Sequence, residues 1–361
     1  MLGVLAAEGV ARAVAPPGGA HLTFNAPDGE PDNLVQPDGE LRTALRPGFS
    51  GTVRLPGLSV LLRVNTLGMR GAEVEPPSGV PRWLVVGDSF TFAAQVPEQD
   101  TFVSRLGEIT GTEVFNGGVD GDSTWQSSRR YLRVAPQVQP DGVILVYFLG
   151  NDPQDNERFT PSAPVANPRP APAREKAPQL EPRLRPWESF LFEHSFLYAH
   201  WRVWSRTRDL SGRGAGDVHR WRGEMELFTT RGAGALRNLL PRTEAAFAEL
   251  AELTAERGDR LVVALAPPVY SIDVARLPPT LEMVGLDPAS GSPDAVGDAV
   301  AGVLAKQGIA SCDLAPALRQ AQAAGESPYL QFDGHWSVQG HATVAAALKA
   351  CLDPSSAPPP R

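Results

Sequence analysis

Arg82-Trp-Leu-Val-Val-Gly87-Asp88-Ser89-Phe90 decides the fold. Its first six residues are a short apolar run closed by glycine, the pattern of a strand buried on both faces. The serine that follows falls where that strand ends. In open α/β sheets, ligands bind beyond the carboxyl ends of the strands. Ser89 is therefore predicted to face solvent beside the start of a helix. Taken alone, Gly-Asp-Ser reads as a turn, and it is not the G-x-S-x-G elbow.

Further runs of the same kind lie downstream. They are Glu113–Asn116, the strongly β-branched Gly142–Leu149, Arg260–Ala266 closed by Pro267-Pro268, and a weaker Ile309–Cys312. Helical spacing lies between and after them. It links Trp125, Ser128, Leu132 and Ala135, then Leu239 through Leu253, then Val344 through Leu352 with Ser337 as N-cap. Strands alternating with helices predict a parallel sheet covered on both faces.

Upstream, residues 16–80 are rich in Pro, Gly and Asp. Short alternating stretches at Thr52–Leu55 and Ser59–Val64 predict a small irregular β region. Residues 153–235 interrupt the alternation. This segment is Pro-rich and extended over about 161–186, then carries Trp187, Phe190, Leu191, His194, Leu197, Tyr198, Trp201 and Trp204 on one helical face. That face is expected to pack on the sheet domain, with a lid or a membrane-facing patch as the functional readings. Gly-rich 211–216 reads as a linker, because it lacks the G-K-[ST] ending of a phosphate loop. The tail 354–361 is expected to be disordered.

Composition excludes several classes. Apolar residues make up 42% of the 361, enough for a core. The net charge of −8 and the lack of a basic stripe argue against nucleic-acid binding. Two cysteines, Cys312 and Cys351, are too few for a disulfide scaffold or a Cys-rich zinc site. They leave the redox compartment open. No apolar run is long enough for a membrane span. The opening Met1–Ala7 is apolar, and Glu8 and Arg12 break it. It reads as a short amphipathic helix, with the end of a membrane anchor as the other reading.

Four polar clusters fall at predicted strand or loop ends. Beside Gly87-Asp88-Ser89 stand Asn116-Gly-Gly-Val-Asp-Gly121, Gly150-Asn151-Asp152 and Asp333-Gly-His335-Trp336. Glycine lets backbone N–H groups approach a ligand, and an Asn side chain donates N–H. A carboxylate two residues from a histidine can orient its ring, and the ring can then serve as base toward a serine. Each cluster has a bland alternative as a turn or cap. Asp88 and Asp152 are expected to bond loop backbone, Arg70 to serve a structural turn, and His194, His200 and His219 to pack or lie on the surface. His341 has no metal-ligand spacing to His335.

Taken in order and spacing, the four clusters resemble the blocks of the SGNH, or GDSL-type, hydrolases. The resemblance covers about 80–152 and 258–352. It implies Ser89 as nucleophile, with His335 and Asp333 completing a triad. The backbone N–H groups of Ser89 and Gly121 and the Asn151 side chain would form the oxyanion hole. One residue separates Asp333 from His335, where many members have two. The Asp-x-His-Trp form is similar to the branch holding polysaccharide O-acetyltransferases. Asn65-Thr-Leu-Gly-Met-Arg-Gly71 resembles the lead-in of bacterial, often membrane-anchored members.

The resemblance implies a flavodoxin-like three-layer α/β/α sandwich. The expected divisions are an N-terminal region 1–80, a hydrolase domain 81–352 with the insertion 153–235, and the tail 353–361. The expected activity is a serine esterase acting on a short acyl ester, such as O-acetyl on carbohydrate, with no cofactor and no metal. The alternatives are a polysaccharide O-acyltransferase and a non-catalytic carbohydrate-binding module. The expected partner is a small-molecule or carbohydrate ester, with membrane association through the N-terminus open. The expected location is extracytoplasmic or membrane-associated, with the cytoplasm as the alternative.

Overall fold

The structure, a computed structural model, describes residues 7–11, 34–55, 58–159, 186–198, 201, 215–330 and 333–353. Its centre is a five-stranded sheet of β5 (Arg82–Gly87), β6 (Glu113–Asn116), β7 (Gly142–Phe148), β8 (Arg260–Ala266) and β9 (Ser311–Asp313), in the order β6-β5-β7-β8-β9. Every pairing is parallel. Relabelled within the sheet, the order is 2-1-3-4-5, which is the flavodoxin-like winding. All seven residues of β7 are buried, as a central strand covered on both faces requires. The last strand is Ser311–Asp313 rather than Ile309–Cys312, because only Val263, Ala264 and Leu265 of β8 pair with it.

Right-handed crossovers place the helices. The chain steps one way from β5 to β6 through α3 (Phe102–Thr110), then back the other way to β7, β8 and β9. Reversing the step moves the helices to the other face. Accordingly α3 packs with the last helix, α13 (Val338–Leu352), which also meets α12 (Ala315–Ala323). A second group holds α4 (Thr124–Val138), α5 (Asp152–Phe159), α8 (Ala233–Arg257) and α11 (Ala295–Gln307). Ser337 caps α13 by accepting from Gly340 N at 3.1 Å.

The N-terminal region holds two antiparallel hairpins, β1 (Val35–Asp38) with β2 (Arg42–Leu45), and β3 (Ser50–Leu55) with β4 (Leu58–Arg63). Their small core joins Leu34, Leu45, Val53, Val60, Leu62 and Val64 to Phe92 and Val119. Phe92 ends the one-turn helix after β5 and Val119 lies in the loop after β6, both at the carboxyl edge of the main sheet. Hydrogen bonds run the same way. Gln126 Nε2 donates to Leu41 O at 2.8 Å, and Arg130, paired with Asp122, donates to Thr43 O at 2.7 Å. The hairpins thus brace the loop that carries Gly121.

Within the insertion, helix α6 (Pro186–His194) ends well short of Trp204. Trp187, Phe190 and Trp201 are exposed, against the expectation that this face packs on the sheet. Glu8, in helix α1 (7–11), accepts from Ser195 Oγ and from the N–H groups of Phe196 and Leu197. Helix α7 (Ala215–Glu226) begins in the predicted Gly-rich linker. Met1–Ala6, most of the Pro-rich stretch, His200, Trp204, 211–214 and the tail lie outside the described residues. Among the described residues no helix is long and apolar enough to cross a membrane.

Cys312 of β9 and Cys351 of α13 form a disulfide, a pairing the two-cysteine count did not anticipate. It ties the last helix to the edge strand.

Candidate active site

Ser89 opens a one-turn helix, α2 (Ser89–Phe92), directly beyond β5. Gly87 has φ +148, and a Cβ there would meet Thr91 Oγ1 at 2.5 Å and Val146 O at 2.6 Å. Only glycine fits this turn, so the strand ends abruptly and the serine is projected at the sheet edge. Buried Asp88 caps the turn, accepting from Phe90 N at 2.9 Å. That is the backbone role expected of it.

His335 arrives from the other end of the chain. Its ring Nε2 lies 2.7 Å from Ser89 Oγ. Its Nδ1 contacts Asp333 Oδ1, and its backbone N–H donates to the same oxygen at 3.0 Å. One intervening residue is enough, because Asp333 closes an Asx turn around His335. The loop is locked elsewhere too. Leu330 N donates to His335 O at 3.0 Å, and Tyr329 OH donates to Pro267 O at 2.6 Å. Trp336 is buried edge-on against Phe90 and Phe102. Phe90, next to the serine, stacks on Phe148 and lies 4.8 Å from the His335 ring, centroid to centroid.

Electrostatics suit a base. Burial pushes the His335 imidazole down, but Asp333, through charge and hydrogen bond, with Asp88 and Asp120, outweighs it and holds the ring above its ordinary value. Burial pushes the Asp88 carboxyl up to about 7, with the Phe90 N–H working against it. Burial, reinforced by Asp88 and Asp155, holds Asp152 well above the carboxylate range, and its Oδ2 accepts from Phe148 N at 2.9 Å.

The other two clusters stand at the same edge. Val119 N donates to Gly87 O at 3.0 Å, which fastens the loop after β6 to the strand that ends at Ser89. The turn closes with Asp122 N donating to Val119 O at 3.1 Å, and Gly121 takes φ +74 as its third residue. A side chain there would be strained. Asn151 follows β7, the neighbour of β5 at the topological switch point. Its Nδ2 donates to Asp155 Oδ2 at 2.8 Å, which leaves one amide hydrogen uncommitted. Asp155 is a partner that the sequence reading missed.

Arg70, expected to serve a structural turn, holds a bend of the chain beside the site. It is buried, and its guanidinium donates to Phe92 O at 2.7 Å and Val96 O at 2.6 Å, and also to Ala93 O. Gln95, which no sequence signal marked, lies in the loop so gripped, with Nε2 3.1 Å from His335 Nδ1. His341 is buried and neutral, with Nδ1 accepting from Phe102 N at 3.1 Å. Among the described residues no cluster of His, Cys, Asp and Glu could hold a metal ion.

Serine, histidine and aspartate thus stand in hydrogen-bond sequence at the carboxyl edge of a flavodoxin-like sheet. Residues 227–359 match the family model described as the SGNH hydrolase-like domain of the acetyltransferase AlgX, which bears out the resemblance over that stretch. No curated protein is significantly similar in sequence. Solved structures similar to this chain include a protein assigned to the lipolytic G-D-S-L family from Desulfitobacterium hafniense. It is 12% identical, with TM-score 0.40, over 75% of this chain and 99% of that one. A catalytic mutant of the acetylxylan esterase Axe2 from Geobacillus stearothermophilus is 14% identical, with TM-score 0.38, over 77% and 96%. A GDSL-like lipase from Bacteroides thetaiotaomicron is 11% identical, with TM-score 0.37, over 78% and 93%.

Proposed function

We propose that the protein is a serine esterase of the SGNH type, acting on a short acyl ester such as O-acetyl on carbohydrate. The observation that carries this reading is the 2.7 Å contact from His335 Nε2 to Ser89 Oγ, with Asp333 behind the opposite ring nitrogen. His335 takes the Ser89 proton as Oγ attacks the ester carbonyl carbon. The N–H groups of Ser89 and Gly121 and the free amide hydrogen of Asn151 receive the oxyanion. The intermediate collapses, the alcohol leaves with the proton from His335, and an acyl-Ser89 remains. Water, activated by the same His335, then releases the acid and restores the serine.

A second reading replaces that water by a sugar hydroxyl, which makes the protein an O-acyltransferase. The acetyltransferase description of the matching family favours it. The Cys312–Cys351 disulfide supports an extracytoplasmic location, where such bonds persist.

The test is turnover of para-nitrophenyl acetate, butyrate and octanoate by wild type and Ser89→Ala, with and without an oligosaccharide acceptor. The esterase reading expects Ser89-dependent release of free acid with a short-chain preference. Acyl groups appearing on the sugar, at the expense of free acid, would establish the transferase instead. No Ser89-dependent release and no transfer would refute both.

A further inference from the structure

Asp333 is not alone at the far nitrogen of His335. Gln95 Nε2 stands 3.1 Å from the same Nδ1, and Gln95 Oε1 is buried with no hydrogen-bond partner. Two rules of hydrogen bonding bear on this. For Nε2 of the ring to accept from the Ser89 hydroxyl it must be bare, so Nδ1 must carry the hydrogen. An Nδ1–H has no lone pair and cannot accept from an amide N–H. Turning the Gln95 amide about its last bond exchanges two atoms of nearly equal size, a choice set by hydrogen bonding and not by shape. In the turned orientation Oε1 faces Nδ1–H, and a buried oxygen without a donor gains one.

The loop that presents Gln95 is held stiffly. It follows α2, whose last turn closes with Ala93 N donating to Ser89 O at 2.8 Å. Val96 N donates back to Ala93 O at 3.3 Å. Across this bend lies the Arg70 guanidinium, gripping the carbonyls of Phe92, Ala93 and Val96. Arg70 is itself fixed by bridges to Val64 and Asn116. The chain of contacts therefore runs from the N-terminal hairpins through Arg70 and the 93–96 bend to the amide of Gln95. A planar fork with several donors suits three converging carbonyls, and a lysine would not span them.

We infer that Gln95 is a positioning residue whose side-chain carbonyl shares the Nδ1–H of His335 with Asp333, fixing the ring tautomer that can accept the Ser89 proton. The inference rests on the serine-enzyme reading above for its catalytic meaning, but its geometry can be tested without turnover. The charged groups that face His335 are Asp333 on its own loop, Asp88 at the end of β5 and Asp120 in the loop after β6, with neutral His341 behind it on α13. Gln95 adds a dipole, and not a charge, to that set.

The experiment compares wild type with Gln95→Leu and Gln95→Glu, of which the second keeps an oxygen at the same reach. Ring-nitrogen NMR of His335 is followed against pH, beside kcat and KM on para-nitrophenyl acetate. Wild type is expected to show the Nδ1–H tautomer in its neutral form. Gln95→Leu should admit the Nε2–H form and lower kcat about tenfold at unchanged KM, a fraction of the 10²–10⁴ that a positioned base supplies. Gln95→Glu should keep the Nδ1–H tautomer and move the His335 midpoint and the acid limb of kcat/KM upward together, because it adds a negative charge beside Nδ1. An identical tautomer, midpoint and kcat in all three proteins would overturn the inference. The expected tautomer differences among the three proteins, found in a protein whose wild type has no Ser89-dependent activity, would leave the inference standing and sink the enzyme reading.

Discussion

His335 Nε2 stands 2.7 Å from Ser89 Oγ although 246 residues separate the two in sequence. Two independent structures create this proximity. The Gly87 turn ends β5 so sharply that Ser89 emerges at the sheet edge. The Asx turn of Asp333, just ahead of the Ser337 cap of α13, brings the imidazole back over it. The Phe90 ring, one residue from the serine, lies against both His335 and Trp336 and sets the spacing between the two loops.

Asp333 is the first group to test. Asp333→Asn keeps the shape and removes the charge at Nδ1. The asparagine amide can donate to a bare Nδ1, which favours the wrong tautomer. The expected outcome is a loss of about 10³–10⁴ in kcat, with the acid limb of the residual activity at lower pH. Steady-state kinetics on para-nitrophenyl acetate checks this. A loss below tenfold would mean that Asp333 does not orient the base.

The pH profile follows from the same charges. His335 titrates above its ordinary value, and it must be neutral to act as base. Activity should therefore fall as pH drops through a midpoint above about 6.5. Asp88 contributes to that elevation, and burial pushes its own carboxyl up to about 7. Asp88→Asn retains an acceptor for Phe90 N–H and removes the charge, so the acid limb should move down. A kcat/KM profile of the variant that superimposes on wild type would contradict this assignment.

His341 predicts a stability effect. Burial pushes its imidazole down to about 3, and its Nδ1 accepts from Phe102 N. As pH falls from about 6.5 toward about 3, the unfolded chain takes up a proton that the folded chain refuses. Stability should then be lost with a limiting slope of about 1.4 kcal/mol per pH unit. Urea titrations of wild type and His341→Asn between pH 7 and 5 measure it. The variant keeps an acceptor for Phe102 and should show a shallower dependence. Parallel curves would refute the assignment.

The Cys312–Cys351 bond spans a sequence separation of 39 residues that includes the whole His335 loop. Replacing both cysteines by serine should lower stability by about 2–4 kcal/mol. Activity at 25 °C should stay within about twofold, because Tyr329, Trp336 and Ser337 anchor the loop independently. Urea unfolding with parallel kinetics checks both. Activity collapsing with the bond would show that the disulfide, and not those contacts, holds His335.

Much of this architecture was legible in the sequence. Buried parallel strands read as continuous apolar runs, so β5, β6, β7 and β8 announced themselves. The helix Ala295–Gln307 did not, because its alanines and glycines blur the 3.6-residue period. The hairpin Val35–Leu45 was hidden by Pro37, which reads as a turn and is tolerated on an edge strand. Ser89, Asp333 and His335 could be singled out because each sits beside glycines at a strand or loop end. Gln95 could not, and for Arg70 a turn was expected but not the carbonyls it grips. Gln95 matters only through a ring 240 residues away, and Arg70 through carbonyls that converge only after folding. Trp187, Phe190 and Trp201 were misread as packing, since helical spacing records which residues share a side and not what covers it.

The most direct test of the central claim is the intact mass of the protein quenched in acid during reaction with para-nitrophenyl acetate, followed by peptide mapping. The account predicts an acetyl group on Ser89 in wild type, slower to form in His335→Gln and absent from Ser89→Ala. An enzyme that turns the ester over with no acyl group on Ser89, or that does so equally well as Ser89→Ala, would contradict it.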